Sequence, residues 1–203
     1  MSAAARTELL PAARRAAVPW KNGGGVTREV AAHPAGASLE DFDWRVSTAE
    51  VRAAGPFSVF AGIERTLCIL EGRLALALQG QTDVVLVPGS APFAFAGDLT
   101  VHADPGSTPV TDLNVMTRRG RFGAAVSRLG LSASVRRDCS ATTTLLFALT
   151  PLRVEVGAQA MFLSRYDALC MTGTTQCVLA APKACADCYV IEITQAALGA
   201  GRT

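Results

Sequence analysis

The chain has 203 residues, half of them hydrophobic and 18% charged, with a formal net charge of +2. That length can fill one large domain or two smaller halves sharing a core, and no apolar run reaches the roughly 18 residues of a membrane-spanning helix. The near-neutral balance and dispersed arginines, densest at Arg118, Arg119 and Arg121 with Arg136 and Arg137 beyond, argue against a nucleic-acid partner.

In chain order, the N-terminus comes first. Arg6, Arg14 and Arg15 lie among alanines and prolines, without the continuous apolar segment of a signal peptide, so the expected location is the cytoplasm. PWKNGGGVTREV (19–30) follows, with an aromatic, a lysine and an amide leading into three glycines. Consecutive glycines are costly to order and supply no packing. Two readings stand: a glycine-rich turn anchored by Trp20, or a set of N–H groups that, with Lys21 and Asn22, holds an anion.

FDWRVSTAEV (42–51) reads as a strand with Phe42, Trp44 and Val46 on one face and Asp43, Arg45 and Ser47 on the other. RTLCILEG (65–72), RLALALQG (73–80) and DVVLVPG (83–89) form an expected meander, turning at Glu71-Gly72 and Gln79-Gly80. TPVTDLNVMT (108–117) places Asp112, Asn114 and Met116 on one face, opposite Leu113 and Val115. Such a polar face either meets solvent or, in a ligand-binding barrel, points inward; both stay open. Residues 118–130 suggest a linker or short helix, TTLLFALT (143–150) and CYVIEIT (188–194) are further strands, and 196–203 is an expected tail. Turn signals spaced by about 8–12 residues predict an all-β sandwich or barrel.

Six cysteines (Cys68, Cys139, Cys170, Cys177, Cys185, Cys188) need not pair in a cytosolic chain. Cys185 and Cys188 have C-x-x-C spacing, but with Cys170 and Cys177 they do not reproduce a zinc ribbon. No metalloprotease, nucleophile-elbow, P-loop or dinucleotide motif is present.

Five ordered segments, PWKNGGGVTREV, FDWRVSTAEV, GPFSVFAGIERTLCILEG, PFAFAGD and DLNVMTRRGRF, resemble the HutD/Ves family over residues 19–122. The resemblance implies an RmlC-like cupin with two jelly-roll halves, about 1–118 carrying the ligand pocket and about 119–203 completing the chain. On the general cupin pattern, the positions of the metal ligands fall on Ser58, Phe60, Arg65 and Phe93, while His33 and His102 lie elsewhere. A cation in place of a carboxylate ligand repels a divalent metal, so neither metal nor other cofactor is expected.

An arginine at a ligand position favours an anion, because its planar fork matches a carboxylate. Lys21 and the N–H groups of Gly23, Gly24 and Gly25 could hold a second anionic group, with Asn22, Thr27, Asp112 and Asn114 selecting a polar function. Arg45, Ser47 and Glu50 are further candidates. The alternatives are an ion pair of Arg65 with Glu64, Glu71 or Glu50, and a solvated face for Asp112 and Asn114. Phe57, Phe60, Phe93 and Phe95 read as core or cavity wall.

The family's association with bacterial histidine utilisation implies a small carboxylate ligand such as urocanate or a formylated glutamate. The leading expectation is a metal-independent binding protein that senses, buffers or regulates. A metal-free isomerase or epimerase is the alternative, drawing on Lys21, Glu29, Glu50 or Asp112 for proton transfer. A protein-interaction regulator docking through the arginines at 118 to 121 is a third. No nucleic-acid or membrane partner is expected, and a homodimer is an option.

Overall fold

The structure, a computed structural model, describes residues 6–197. It divides into two compact units: Arg15–Gly123 forms one, and the residues up to Arg14 join those from Ala124 onward in the other. Among the described residues the regular structure is strand, apart from one 3-10 turn over Ala12–Arg14, and no helix is long and apolar enough to cross a membrane. The alternation read along the sequence is realised as antiparallel ladders.

β1 (Arg6–Leu10) opens the described chain. The Arg15–Gly123 unit then contains β2 (Ala17–Pro19), β3 (Gly25–His33), β4 (Trp44–Val51), β5 (Gly55–Pro56) and β6 (Ile63–Glu71). It continues through β7 (Leu74–Leu78), β8 (Val84–Leu86), β9 (Phe93–Ala96), β10 (Val101–Asp104) and β11 (Val110–Arg118). These make a six-stranded sheet in the order β2-β3-β4-β11-β6-β9 and a four-stranded sheet in the order β5-β10-β7-β8. Leu67, Ile69 and Phe95 of the first sheet pack on Leu74, Leu76, Leu86 and Val101 of the second. The expected meander turns are present, and Gly72 (φ 86°) and Gly80 (φ 74°) supply the left-handed backbone that each requires.

The other unit contains β12 (Phe122–Leu131) from Ala124 onward, β13 (Val135–Cys139), β14 (Thr143–Ala148) and β15 (Leu152–Val156). β16 (Gln159–Leu163), β17 (Ala168–Thr172), β18 (Thr175–Ala180) and β19 (Ala186–Gln195) complete it. A five-stranded sheet, β1-β17-β14-β19-β12, faces a four-stranded sheet, β13-β18-β15-β16, across a core of Leu146, Leu152, Leu169, Leu179 and Val190.

Two sequence expectations change here, and a third falls mostly outside the described residues. Residues expected to form a linker or short helix build the ten-residue strand β12, whose alternating partial exposure disguises its period. β1 pairs in full register with β17, Arg6 opposite Thr172 and Leu10 opposite Ala168, so it belongs with the C-terminal half of the chain. Most of the expected tail, residues 198–203, lies outside the described residues.

Candidate functional site

Antiparallel register places chemistry on one face of the six-stranded sheet. Directly opposed residues share a face. One row therefore runs Phe95, Arg65, Met116, Arg45 across β9, β6, β11 and β4. The next runs Phe93, Leu67, Asn114, Ser47, Glu29, and a third runs Ile69, Asp112, Ala49, Thr27. Leu67, Ile69 and Phe95 belong to the core between the two sheets, so Arg65, Asp112, Asn114 and Ser47 face that interior, while Glu29 at the end of its row is exposed. The barrel alternative for Asp112 and Asn114 holds, and the solvated-face alternative does not: both are buried on a strand covered along both faces.

Arg65 lies at the centre of this cluster and is 6% exposed. Its guanidinium sits 5.0 Å from the centroids of Phe57 and Phe95 and 5.8 Å from that of Phe60, and a long contact of 3.5 Å links Nη1 to the Ser58 carbonyl. Ring faces stabilise a desolvated cation but satisfy none of its N–H groups. The ion pairs that could have absorbed it at Glu64 and Glu50 are made elsewhere, with Arg119 and Arg52, each at 2.6 Å. Of seven buried side-chain atoms without a hydrogen-bond partner among the described residues, three lie on this face: Arg65 Nε, Asp112 Oδ1 and Asn114 Oδ1. Native interiors rarely leave polar atoms unpartnered, and three on one face make this cluster a candidate site.

The electrostatics follow from burial. Desolvation pushes the Asp112 carboxyl from its ordinary 3.8 up to about 7, against the attraction of Arg65 and a hydrogen bond from the Ala49 backbone. Desolvation also pulls the Arg65 guanidinium down to about 10, so it stays charged at neutral pH. Arg45 is neutralised by Glu29 at 2.8 Å, which spends both at the margin of the cluster.

The sequence-predicted residues thus divide. Arg65, Asp112, Asn114 and Ser47 share the buried face, with Arg45 and Thr27 on its flanking strands. Lys21, Asn22 and Gly23 are exposed and Gly24 half-buried on the β2–β3 turn. Two of the three glycine N–H groups expected to hold an anion are used by the turn itself: Gly23 donates to Trp20 O at 3.0 Å and Gly24 to Asn22 Oδ1 at 3.0 Å. Trp20 is the anchor, donating from Nε1 to Thr27 Oγ1 at 2.7 Å and packing against the core. Glu50 opposes Val26 and Thr111, on the other face from Asp112. Arg118 binds the Glu40 and Phe42 carbonyls, Arg119 binds Glu64 and Asp98, and Arg121 binds Asp43, so these three arginines are engaged within the chain.

The positions that would hold a cupin metal present a hydroxyl, two phenyl rings and a guanidinium, a set that does not fit a divalent cation. Among the described residues no group of three or more His, Cys, Asp or Glu side chains could hold a metal ion. His33 stacks on Trp44 and His102 is exposed. A depression of about 450 Å³ is open and lined by Arg136, Glu155, Gly157, Thr175, Gln176 and Val178. It lies in the other unit and none of its polar residues is buried, so the Arg65 cluster is the better candidate.

Cys139 and Cys177 lie 3.8 Å apart in the core of the other unit, while Cys185 is exposed and Cys188 buried. An aromatic disulfide reagent should therefore titrate one thiol rapidly in the native protein. Cys185→Ser should remove that fast phase, since Cys170 is half-buried and its thiol is pushed up to about 11. A fast phase of three thiols would contradict the burial described.

Two packed β-sandwiches in one chain, with a polar cluster inside one of them, define an all-β protein of the cupin fold. The fold is shared with a cupin 2 conserved barrel domain protein from Leptotrichia buccalis at a TM-score of 0.60 and 7% identity, covering 87% of this chain and 92% of that one. The chain belongs to the HutD family, whose model matches residues 12–188. It is 35% identical over 173 residues to an uncharacterized 21.2 kDa protein in the hutC 3′ region of Pseudomonas putida, covering 83% of this chain and 88% of that one. Protein Ves of Citrobacter koseri is 39% identical over 108 residues, which is 53% of this chain and 56% of that protein. A conserved protein of unknown function from Pseudomonas aeruginosa PAO1 superposes with a TM-score of 0.85 at 30% identity, over 93% of this chain and 99% of that one. HutD from Pseudomonas fluorescens SBW25, in a formate condition, superposes with a TM-score of 0.79 at 29% identity, over 95% and 100%.

Proposed function

We propose that this protein binds a small carboxylate metabolite on the inner face of its six-stranded sheet, without a metal, in the cytoplasm. It serves there as a sensor, buffer or regulator in bacterial histidine utilisation, with urocanate or an N-formylglutamate-like molecule as ligand. The observation that carries this reading is the buried Arg65, charged, ringed by three phenylalanines and left with an unpartnered N–H. A desolvated guanidinium with a free donor is a strong recognition element for a carboxylate. Near-complete enclosure of the cluster favours a small ligand. The hutC-region relative and the HutD structure in a formate condition lend support from outside the chain.

A thermal-shift panel of formate, urocanate and N-formylglutamate, with formamide as an uncharged control, tests the reading. A ligand at a hundredfold excess over its Kd stabilises by about 2.7 kcal/mol. At least one carboxylate should raise the melting temperature while formamide does not. If no carboxylate moves it, the reading fails.

One observation favours catalysis as a second reading. A carboxyl held near neutrality beside a fixed cation is poised for proton transfer. Of the other expected proton carriers, Lys21 is exposed on its turn, and Glu29 and Glu50 are held in ion pairs. Conversion of urocanate or N-formylglutamate by purified protein, followed by proton NMR and lost in Asp112→Asn, would establish an isomerase-like enzyme over a passive binder.

A further inference from the structure

Arg65 Nε, Asp112 Oδ1 and Asn114 Oδ1 are the unpartnered atoms of the inner face, on adjacent strands and on side chains 6%, 2% and 9% exposed. One is a donor and two, as placed, are acceptors. A carboxylate ligand satisfies the donor and brings only further acceptors. With Asp112 ionised, two carboxylates would then share a single cation away from water, and like charges in such a site do not both persist. A proton on Asp112 Oδ1 removes the conflict: the acid then donates O–H to the ligand oxygen, a charge-assisted bond of about twice neutral strength. Turning the Asn114 amide would present its N–H in the same direction.

We propose, building on the carboxylate reading above, that Asp112 takes up one proton from solvent as the ligand docks, so that the site binds a carboxylate anion and a proton together. The step breaks no covalent bond of the ligand and needs no co-reactant. Burial already holds the empty-site carboxyl near neutrality, so the proton is available under physiological conditions.

The surroundings leave Asp112 as the group that titrates. From β6 it meets Arg65, the one charge acting on it. β4 and β3 bring Arg45 and Glu29, which neutralise each other. β9 contributes phenylalanines, and β7, β8 and β10 face it with apolar side chains such as Leu74, Leu86 and Val101. His102 and Asp104 of β10 are exposed, alternating with its inward residues. Thr27, from β3, is not ionisable.

The sign of the linkage is set by the bound anion, which raises the affinity of Asp112 for its proton. Below the empty-site value the proton is already present and affinity is flat with pH. Above it, each docking event must recruit a proton, and affinity falls about tenfold per pH unit until the Asp112 value in the complex is reached. Calorimetric titration of the full chain with sodium formate, the smallest carboxylate and fully ionised throughout, reads this directly. Between about pH 7.5 and about pH 8.5 the Kd should rise about tenfold. The heat of binding should also differ between two buffers in proportion to their ionisation enthalpies, reporting one proton taken up. Asp112→Asn, which carries a permanent donor, should bind formate with a Kd and heat independent of pH and buffer. Formate binding by the native protein with an unchanged Kd and no buffer dependence overturns the proposal while leaving the carboxylate reading intact, and so does an Asp112→Asn protein that keeps the native pH slope. Absence of formate binding at both pH values overturns the proposal, and the carboxylate reading falls with it only if urocanate and N-formylglutamate also leave the melting temperature unmoved.

Discussion

Arg65→Met is expected to fold normally and to lose every carboxylate-dependent gain in melting temperature. The substitution removes a charge from a site walled by Phe57, Phe60 and Phe95 and supplies a flexible apolar side chain of similar length. No ion pair is broken, because Arg65 closes none with Glu64 or Glu50, and its single hydrogen bond to Ser58 O is long at 3.5 Å. Replacing a whole buried ion pair by packed hydrophobes is often neutral or stabilising, by about 1–4 kcal/mol, and here a proton on Asp112 can discharge the remaining partner. Asp112 then loses the cation that favours its ionised form and holds its proton to higher pH. The ligand-free melting temperature should therefore stay level or rise. The ligand effect, about 2.7 kcal/mol at a hundredfold excess and on the order of 5–10 °C for a chain of this size, should vanish. A native-sized shift in a folded Arg65→Met protein would remove Arg65 from the site. A collapse of the ligand-free protein would instead show that its charge holds the sheet together.

Gly25→Ala should be the most damaging of the single-methyl additions to the glycine run. A Cβ there would stand 2.5 Å from the Glu50 carbonyl and 3.0 Å from the Trp20 ring. The carbonyl belongs to the β3–β4 ladder and cannot retreat without breaking it, and Trp20 is fixed by Thr27. Overpacking against an immobile neighbour costs about 3 kcal/mol, the upper end of its usual range, which lowers the melting temperature by roughly 6–12 °C. Gly23→Ala meets nothing within 4 Å but carries φ +71°, and strain alone should cost about 1 kcal/mol. Gly55→Ala, with open space and no positive φ, is the control and should be neutral or slightly stabilising. Equal melting temperatures for Gly25→Ala and Gly55→Ala would refute the close approach.

How far the sequence reaches can be judged from the same residues. Alternation along TDLNVMT is visible because a strand's period is two, and it puts Asp112 and Asn114 on one side wherever the strand goes. That Arg65 shares this side depends on the pairing of Met116 with Arg65, and register between distant strands leaves no mark in either segment. The family resemblance supplied a reason to look at Arg65; the phenylalanine ring around it required three-dimensional placement. The glycine run misled in a specific way. Taken alone its N–H groups read as available, because the Trp20 carbonyl and the Asn22 side chain that accept two of them are brought there only by the folded turn. β12 escaped notice because its exposed arginine and serine positions dilute the apolar alternation on which strand recognition rests.

The pairing of β1 with β17 also sets an order of events on the ribosome. Arg15–Gly123 is continuous in sequence, and nascent domains fold as units, N-terminal ones first. The five residues of β1 leave the exit tunnel before all of it, yet their partners, Ala168 to Thr172, are made only after it. β1 must therefore wait, unpaired, while that unit is made. Once β17 emerges and docks beside β14, β1 can cover its remaining edge, which would otherwise offer open backbone groups to a neighbouring chain. β1 is thus placed only once a partner made much later has docked, as a cap against misassembly.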